Sequence, residues 1–258
     1  MWQIQQVIQQ LAVHQTCWVS RTSISSLSCT TIASSSNLYW AKRYTASTRA
    51  SDFEYFSRQA ALGTLVRSSN LVPMIDCDLD SSNPLIVYRP LEAQTLSQWL
   101  ASQGQAPSHS VLVWIVRQIV EALEAIHHAG FTHGQIMPEH IMITNSDYSV
   151  RVVGLGSLEP VGSISSLPRL SQRFDAPELT QDEFEVSTAS DIYSVGQVMI
   201  ELFGSTSKQW PIVSAMTAPS VDHRPTASEL LNVLRDLERR LFGESISAKT
   251  GYPHQNAA

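Results

Sequence analysis

The amino-acid sequence predicts an α+β fold in two lobes, a small N-terminal antiparallel β-sheet lobe with one helix and a larger, mainly helical C-terminal lobe. Short β-prone stretches separated by Ser and Thr occupy the first third of the chain. Apolar stripes at helical spacing dominate the remainder. The change falls near 91–93, so we expect one domain of 258 residues with lobes at 1–90 and 91–246 and a disordered polar tail at 247–258.

The N-terminal lobe is expected to begin with a short helix, because apolar residues recur there at three- and four-residue intervals. These residues are Ile4, Val7, Ile8 and Leu11. A second helical pattern covers 51–66, with acidic residues in its first turn. Five further segments have the composition of strands, namely 17–19, 27–32, 38–44, 71–76 and 85–88.

The C-terminal lobe is predicted to be built around one long amphipathic helix that ends at Gly130. Its apolar stripe consists of Leu112, Ile115, Val116, Ile119, Val120, Leu123 and Ile126. A shorter helix is expected at 96–101, separated from the long one by a loop at 104–108.

Composition narrows the possible functions. Apolar residues make up 43% of the chain, which favours a globular domain over disorder. The net charge of −6 argues against a nucleic-acid partner and makes an unassisted triphosphate a poor ligand. We expect no membrane span, because the longest apolar run, 111–126, is interrupted by polar residues at helical spacing. Three cysteines without a Cys-x-x-Cys arrangement, and no signal-peptide pattern, favour a reduced cytoplasmic setting.

Five motifs follow one another in the second half of the chain. They are the loop Phe-Thr-His-Gly-Gln-Ile-Met-Pro-Glu-His-Ile-Met-Ile at 131–143, a strand leading to Gly-Leu-Gly at 154–156, Ala-Pro-Glu at 176–178, Asp-Ile-Tyr-Ser-Val-Gly at 191–196 and Arg-Pro-Thr-Ala at 224–227. In this order and at these intervals they resemble the motifs of the protein kinase family, over roughly residues 17–242. The resemblance implies the two-lobed kinase fold and a phosphotransferase of bacterial Ser/Thr kinase type.

The same resemblance implies that the chemical positions have been replaced. Gln135 stands where the family has its catalytic Asp, Met137 where it has a Lys and His140 where it has a metal-binding Asn. Gly154 stands where the Asp of Asp-Phe-Gly would bind Mg²⁺. An amide cannot take up a proton, and neither an imidazole nitrogen nor a glycine suits a hard cation.

The resemblance also implies a vestigial nucleotide pocket formed by Lys42, Gln59, Tyr88 and Leu91. Lys42 in Tyr-Trp-Ala-Lys resembles the lysine of Val-Ala-Ile-Lys, although a lone lysine after an aromatic strand would equally suit an exposed cation. Gln59 stands at the position of the Glu that braces this lysine. The glycine-rich phosphate loop would lie near 20–27, but the first glycine of the chain is Gly63.

Four residues are expected to hold the scaffold rather than to react. They are His133, Glu178, Asp191 and Arg224, of which Glu178 and Arg224 would form a buried ion pair by resemblance to the family. The four histidines at 127, 128, 133 and 140 also suggest a metal site, but a structural role for them is favoured and no metal is predicted.

These observations predict a catalytically impaired kinase-like domain, a pseudokinase, that has no cofactor and acts as a scaffold by binding another protein. One alternative is a divergent ATP- and Mg²⁺-dependent serine/threonine kinase in which Glu139 or Asp147 has shifted into a catalytic position. Another is a helical adaptor unrelated to kinases, which would require the motif series to be chance.

Overall fold

A computed structural model of the protein describes residues 2–10, 14–21, 38–44, 50–80, 84–144, 147–155, 158–165, 173–181 and 183–242. The chain divides into two compact units. The first contains Met1–Leu65 and Val72–Leu91, and the second contains Val66–Leu71 and Glu92–Ala258. A unit with a small antiparallel sheet and one helix precedes a mainly helical unit, which confirms the predicted fold class.

Within the described residues, the first unit is a five-stranded antiparallel sheet with one helix, α1. The strands, in chain order, are β1 (Trp2–Gln10), β2 (His14–Arg21), β3 (Leu38–Tyr44), β4 (Met74–Asp78) and β5 (Leu85–Tyr88). They lie in the spatial order β1-β2-β3-β5-β4. Helix α1 (Ala50–Leu65) packs on one face of the sheet, where Phe56 and Ala60 meet Ile86 and Tyr88.

Residues 2–10 form strand β1, so the prediction of an N-terminal helix is wrong. The pairing of β1 with β2 skips a residue at Gln5 and again at Ile8, as β-bulges do. Ile4 pairs with Val19 and Val7 with Cys17, so residues three apart in β1 match alternate residues of β2. The bulges therefore give this strand the three-residue spacing that normally indicates a helix.

Three other predicted segments differ from the observed strands or lie outside the described residues. The strand expected at 27–32 and the tail expected at 247–258 both lie outside the described residues. The strand expected at 71–76 is displaced, since β4 begins at Met74 and Leu71 instead forms a parallel bridge with Val152 in the second unit.

The second unit is built around helix α3 (His109–His128), whose buried side chains cover most of its circumference. Ser108 caps its first turn by accepting a hydrogen bond from the Val111 amide, and the helix ends before Gly130, whose φ is +83°. The other helices are α2 (Leu96–Ser102), α4 (Thr188–Phe203), α5 (Pro211–Met216) and α6 (Ala227–Phe242). None of the helices in the described ranges is long and apolar enough to cross a membrane.

Short strands complete the second unit. They are β6 (Ala93–Thr95), β7 (Phe131–Thr132), β8 (Ile141–Thr144), β9 (Val150–Val152), β10 (Glu159–Pro160), β11 (Ile164–Ser165) and β12 (Phe184–Glu185). Strands β6, β8 and β9 form a three-stranded sheet, while β7 pairs with β10 and β11 with β12. The segment between β7 and β8 contains the replaced loop residues, so these short ladders determine their positions.

Candidate functional site

A buried carboxylate organises the loop that follows β7. The backbone amides of His133 and Gly134 donate to the two oxygens of Asp191, at 2.7 and 2.8 Å. Nε2 of His127 donates to the same carboxylate at 2.9 Å. Burial raises the pKa of Asp191, but the hydrogen bond and charge of His127 and the other donors outweigh it and hold the pKa below its usual value. The loop is thereby held on the first turn of α4.

The His133 ring is fully buried, and its hydrogen bonds define the tautomer. The carbonyl of Val153 can only accept, so Nε2 of His133 carries the hydrogen and donates to it at 2.9 Å. Nδ1 accepts from the amide of Gln135 at 3.3 Å. Burial lowers the pKa of His133 to about 4, so the ring is neutral at pH 7.

His140 and Gly154 occupy one small space. A Cβ atom on Gly154 would lie 3.1 Å from both Cγ and Nδ1 of the His140 ring, closer than ordinary van der Waals contact. Gly154 also has a φ of +88°, a conformation that disfavours residues with a Cβ. Nδ1 of His140 donates to the carbonyl of Gln135 at 2.8 Å, which fixes the ring in this position.

The side chains of Gln135 and Met137 are half-buried and form no hydrogen bond within the described residues. Gln135 is held through its backbone instead, by the contacts with His133 and His140. A neutral amide and a thioether therefore stand at two of the positions singled out in the sequence.

Each of the two acidic residues considered as substitutes is engaged in a local contact. Glu139 is exposed and accepts a hydrogen bond from the hydroxyl of Ser97 at 2.8 Å. Asp147 lies in the turn between β8 and β9, where it accepts from the hydroxyls of Thr144 and Ser149. Among the described residues there is also no group of three or more His, Cys, Asp or Glu side chains arranged to hold a metal ion.

In the first unit, Lys42, Gln59 and Tyr88 form a chain of hydrogen bonds. Nζ of Lys42 on β3 donates to Oε1 of Gln59 on α1 at 2.9 Å, and Nε2 of Gln59 donates to the hydroxyl of Tyr88 on β5 at 2.7 Å. Burial lowers the pKa of Lys42 to about 8, and burial raises the pKa of Tyr88. Lys42 is thus not an exposed cation, and its partner is a neutral amide. Leu91 follows β5 at the end of the unit and is half-buried.

Large aromatic residues stand beside Lys42, a feature that the sequence motifs did not connect with the pocket. Trp40 lies two residues before Lys42, so both fall on the same face of β3. Trp40 pairs across the sheet with Tyr88 on one side and with Trp18 on the other. The sequence could have indicated this, because side chains alternate between the two faces of a strand and Trp40 therefore lies on the same face of β3 as Lys42.

Part of the segment expected to form the phosphate loop is a strand instead. Ser20 and Arg21 are the last two residues of β2, which pairs with β1 on one side and β3 on the other. The rest of that segment, 22–27, lies outside the described residues, as do residues 11–13 between β1 and β2. Neither segment contains a glycine.

Glu178 and Arg224 lie in a two-pronged ion pair in the second unit. The Nη1–Oε1 and Nη2–Oε2 distances are 2.7 and 2.8 Å, and the Arg224 side chain has no solvent exposure. The guanidinium also donates to the carbonyls of Ala218, Ala189 and Pro219, so every edge of it is engaged. The hydroxyl of Ser190 donates to Glu178 at 2.6 Å.

Comparison with known proteins identifies a family profile described as "Protein kinase domain", which matches residues 25–218. Serine/threonine-protein kinase PknL of Mycobacterium tuberculosis (strain CDC 1551 / Oshkosh) is 29% identical over 163 residues, which cover 59% of this chain and 39% of PknL. A probable inactive receptor kinase of Arabidopsis thaliana is 31% identical over 174 residues, covering 65% of this chain and 26% of that protein. The chain therefore spans less than half the length of these relatives.

Among solved structures, one described as titin kinase and its flanking domains superimposes with a TM-score of 0.73. The match covers 96% of this chain and 48% of that chain, at 17% sequence identity. At this identity the likeness concerns the fold alone.

Proposed function

Because this chain belongs to the protein kinase family, we propose that it is a pseudokinase, a kinase-like domain that no longer transfers phosphate and acts by binding another protein. The family supplies the fold, whereas the proposal rests on what occupies the positions that phosphoryl transfer requires.

The contact between His140 and Gly154 carries the proposal. Magnesium prefers oxygen ligands, usually carboxylates together with phosphate oxygens. At the two positions where the family would supply such ligands, this chain has a glycine without a side chain and an imidazole. The imidazole lies 3.1 Å from where a Cβ on Gly154 would be, so a carboxylate side chain there would require the His140 ring to shift by a few tenths of an ångström. These residues do not fit a magnesium ion.

At position 135 a glutamine replaces the aspartate that would take up the proton of the acceptor hydroxyl. General-base catalysis typically contributes about 10²–10⁴-fold. Against a usual kinase turnover of about 1–100 s⁻¹, its loss leaves ~1 s⁻¹ at most and ~10⁻⁴ s⁻¹ at least. Loss of the metal site lowers the rate further, although the two effects do not multiply simply.

The lysine site supports the same conclusion. In the family the lysine is fixed by a carboxylate, which keeps it charged for contact with phosphate. Here the partner of Lys42 is the neutral amide of Gln59, and burial lowers the pKa of Lys42 to about 8, so the amine is still mostly protonated at pH 7 but no carboxylate fixes it. Trp40 and Tyr88 further crowd the same face of the sheet. This environment weakens the case for nucleotide as a cofactor.

This chain has the contacts that hold the fold together, although the side chains that phosphoryl transfer requires are replaced. Glu178, Arg224 and Asp191 keep dense hydrogen-bond networks. A scaffold preserved without its chemistry suits a domain whose function is to be recognised by a partner protein. The similarity to an Arabidopsis thaliana protein named as a probable inactive receptor kinase agrees with this interpretation.

A divergent serine/threonine kinase is the second candidate, and the similarity to PknL favours it. It would need Glu139 or Asp147 to leave its present hydrogen bonds and take over the role of base or metal ligand.

The decisive experiment combines thermal shift with ATP, with and without Mg²⁺, and an assay of γ-phosphate transfer to the protein itself and to a generic substrate. We expect no Mg²⁺-dependent stabilisation by ATP, and transfer no greater than in the Lys42→Met variant. A variant that combines Gln135→Asp, His140→Asn and Gly154→Asp is the positive control, and it should gain Mg²⁺-dependent stabilisation. Wild-type turnover that requires Mg²⁺ and disappears in Lys42→Met would overturn the proposal.

A further inference from the structure

A polar cavity of about 80 Å³ lies in the second unit, and none of the residues at the replaced catalytic positions lines it. It is lined by residues from α3, from β9 and the turn before it, and from the segment Val66–Leu71: Ser69, Asn70, Trp114, Arg117, Gln118, Glu121, Ser149 and Arg151. By this measure a water molecule needs about 10–15 Å³, so the cavity has room for roughly five to eight non-hydrogen atoms.

The amides of Asn70 and Gln118 form a rigid floor. The Asn70 amide donates to Oε1 of Gln118 at 3.1 Å and to the carbonyl of Val150 at 3.3 Å. Gln118 donates to the carbonyls of Trp114 and Tyr148 and accepts from the amide of Val150. Because the Asn70 and Gln118 amides already hydrogen-bond to each other and to backbone groups, a ligand would have to bind to the other residues that line the cavity.

Arg117 forms one wall and is fixed in place. Its side chain is only 3% exposed, its Nε donates to Glu238 at 2.6 Å, and its Nη1 contacts Glu121 at 2.6 Å. Its guanidinium lies 4.7 Å from the centre of the Trp114 ring. The third nitrogen, Nη2, has no hydrogen-bond partner within the described residues. Both N–H groups of Nη2, on a buried and fixed guanidinium, therefore remain for a ligand.

Arg151 and Glu121 provide the complementary groups. Arg151 is half-buried and uses Nη1 to donate to the carbonyl of Val150, which leaves its Nε and Nη2 without partners in the described part of the chain. Glu121 accepts from Arg117 and Arg235 through Oε1, while its Oε2 has no partner among the same residues. The walls thus offer guanidinium donors and a carboxylate acceptor together.

The charged residues that line the cavity and the charged partners of those residues balance one another. Three guanidinium groups, on Arg117, Arg151 and Arg235, are matched by three carboxylates, on Glu121, Glu238 and Asp147. A simple anion or cation would leave this partly buried site with an unmatched charge. A ligand with no net charge that carries both a carboxylate and an ammonium group would not.

We propose that this cavity binds a small α-amino acid as its zwitterion, with the carboxylate on the guanidinium groups of Arg117 and Arg151 and the ammonium group on Glu121. Guanidinium groups recognise carboxylates through paired, charge-assisted hydrogen bonds. Glycine and alanine have the size that the cavity accepts, whereas leucine is too large for it. The proposal is independent of whether the domain transfers phosphate.

The test is calorimetric titration of the full chain with glycine, alanine and leucine, each paired with a thermal shift. Acetate and methylammonium, the two halves of the zwitterion, are titrated separately at matched ionic strength. We expect saturable binding of glycine or alanine and none of leucine, acetate or methylammonium. Equal binding of acetate would make the site a simple anion site, and the absence of saturable binding would make the cavity a water site. Either result overturns the proposal.

Variants locate the site. Arg151→Gln should weaken glycine or alanine binding by about tenfold or more, the usual effect of losing a hydrogen bond to a charged group. Arg239→Gln is the matched control and should bind as the wild type does, because Arg239 is an exposed residue paired with Asp236. Ser69→Leu adds volume at an exposed residue that lines the cavity, and it provides the test should Arg151→Gln fail to fold. Unchanged binding in a folded Arg151→Gln or Ser69→Leu variant contradicts the assignment.

Discussion

Two ion pairs of the same length allow a direct test of what holds the second unit together. Arg224 and Glu178 lie 2.7 Å apart, as do Arg173 and Glu201. The Arg224 side chain has 0% exposure, whereas that of Arg173 has 70%. Replacing each glutamate by glutamine removes one charge and almost no volume. Glu178 also accepts a hydrogen bond from Ser190, which an amide oxygen can still accept, so a large difference between the variants reports chiefly the burial of the arginine that is left behind.

Glu178→Gln leaves a fully buried guanidinium without a counter-charge, a change that typically costs about 3–5 kcal/mol. Glu201→Gln leaves an arginine that water can solvate, and exposed pairs contribute about 0–1 kcal/mol. For a chain of this size 1 kcal/mol corresponds to roughly 2–4 °C in Tm. At the lower end of its range, Glu178→Gln should reduce Tm at pH 7 by about 6–12 °C, and Glu201→Gln by no more than about 4 °C.

The pH dependence gives a second measurement on the same variant. Burial raises the pKa of Glu178, but the hydrogen bonds from Arg224 and Ser190 outweigh it and hold the pKa below its ordinary value of 4.5. The stability that the charged carboxylate contributes is therefore present above pH 4.5 and lost as the pH falls through the lower folded value. The Tm difference between wild type and Glu178→Gln should shrink in that acid range. Equal Tm losses for Glu178→Gln and Glu201→Gln at pH 7 would refute the reasoning.

Three further outcomes are expected. Gly154→Asp alone should lower Tm, and adding His140→Asn should restore part of the loss. A double-mutant cycle should give a coupling energy of about 1 kcal/mol between the two substitutions. Additive losses would mean that the His140 ring does not fill this space. The Lys42 amine should titrate near pH 8 in NMR of labelled lysine and shift upward in Gln59→Glu, whereas titration near 10.5 would contradict its burial. Because the pKa of His133 is lowered from 6.5 to about 4, the unfolded chain binds a proton between these two pH values that the folded chain does not. Tm should therefore decrease as the pH is lowered from 6.5 to about 4. The His133→Gln variant should lack this part of the pH dependence.

The sequence was sufficient to predict the fold class and the kinase-like scaffold of the second unit. Residues close together in the sequence were enough here: Ala176-Pro177-Glu178 indicates the start of a helical turn, and the apolar stripe on α3 indicates its buried face. For β1 the same rule failed, because the bulges at Gln5 and Ile8 change the relation between spacing and face. Periodicity alone cannot distinguish a bulged strand from a short helix.

Contacts between distant residues that no family motif connects were beyond prediction from one sequence. Arg117 and Glu238 are 121 residues apart, and Asn70 and Val150 are 80 apart. The resemblance implied that His140 and Gly154 lie at one metal site, but it did not predict that the imidazole ring lies 3.1 Å from the Cβ position of Gly154. Such information arises only when α3, α6 and the strands pack together.

The segment Val66–Leu71 belongs to the second unit, although the residues on both sides of it belong to the first. The amide of Val152 donates to the carbonyl of Asn70, and Asn70 bonds to Gln118 as well. The polypeptide thus passes from one unit to the other three times. Cleavage near residue 91 would yield two incomplete fragments, one with a stray hexapeptide and the other without the backbone partner of Val152. Both units should therefore be expressed on one continuous chain, and a split version should recover its fold only when the two pieces are produced together.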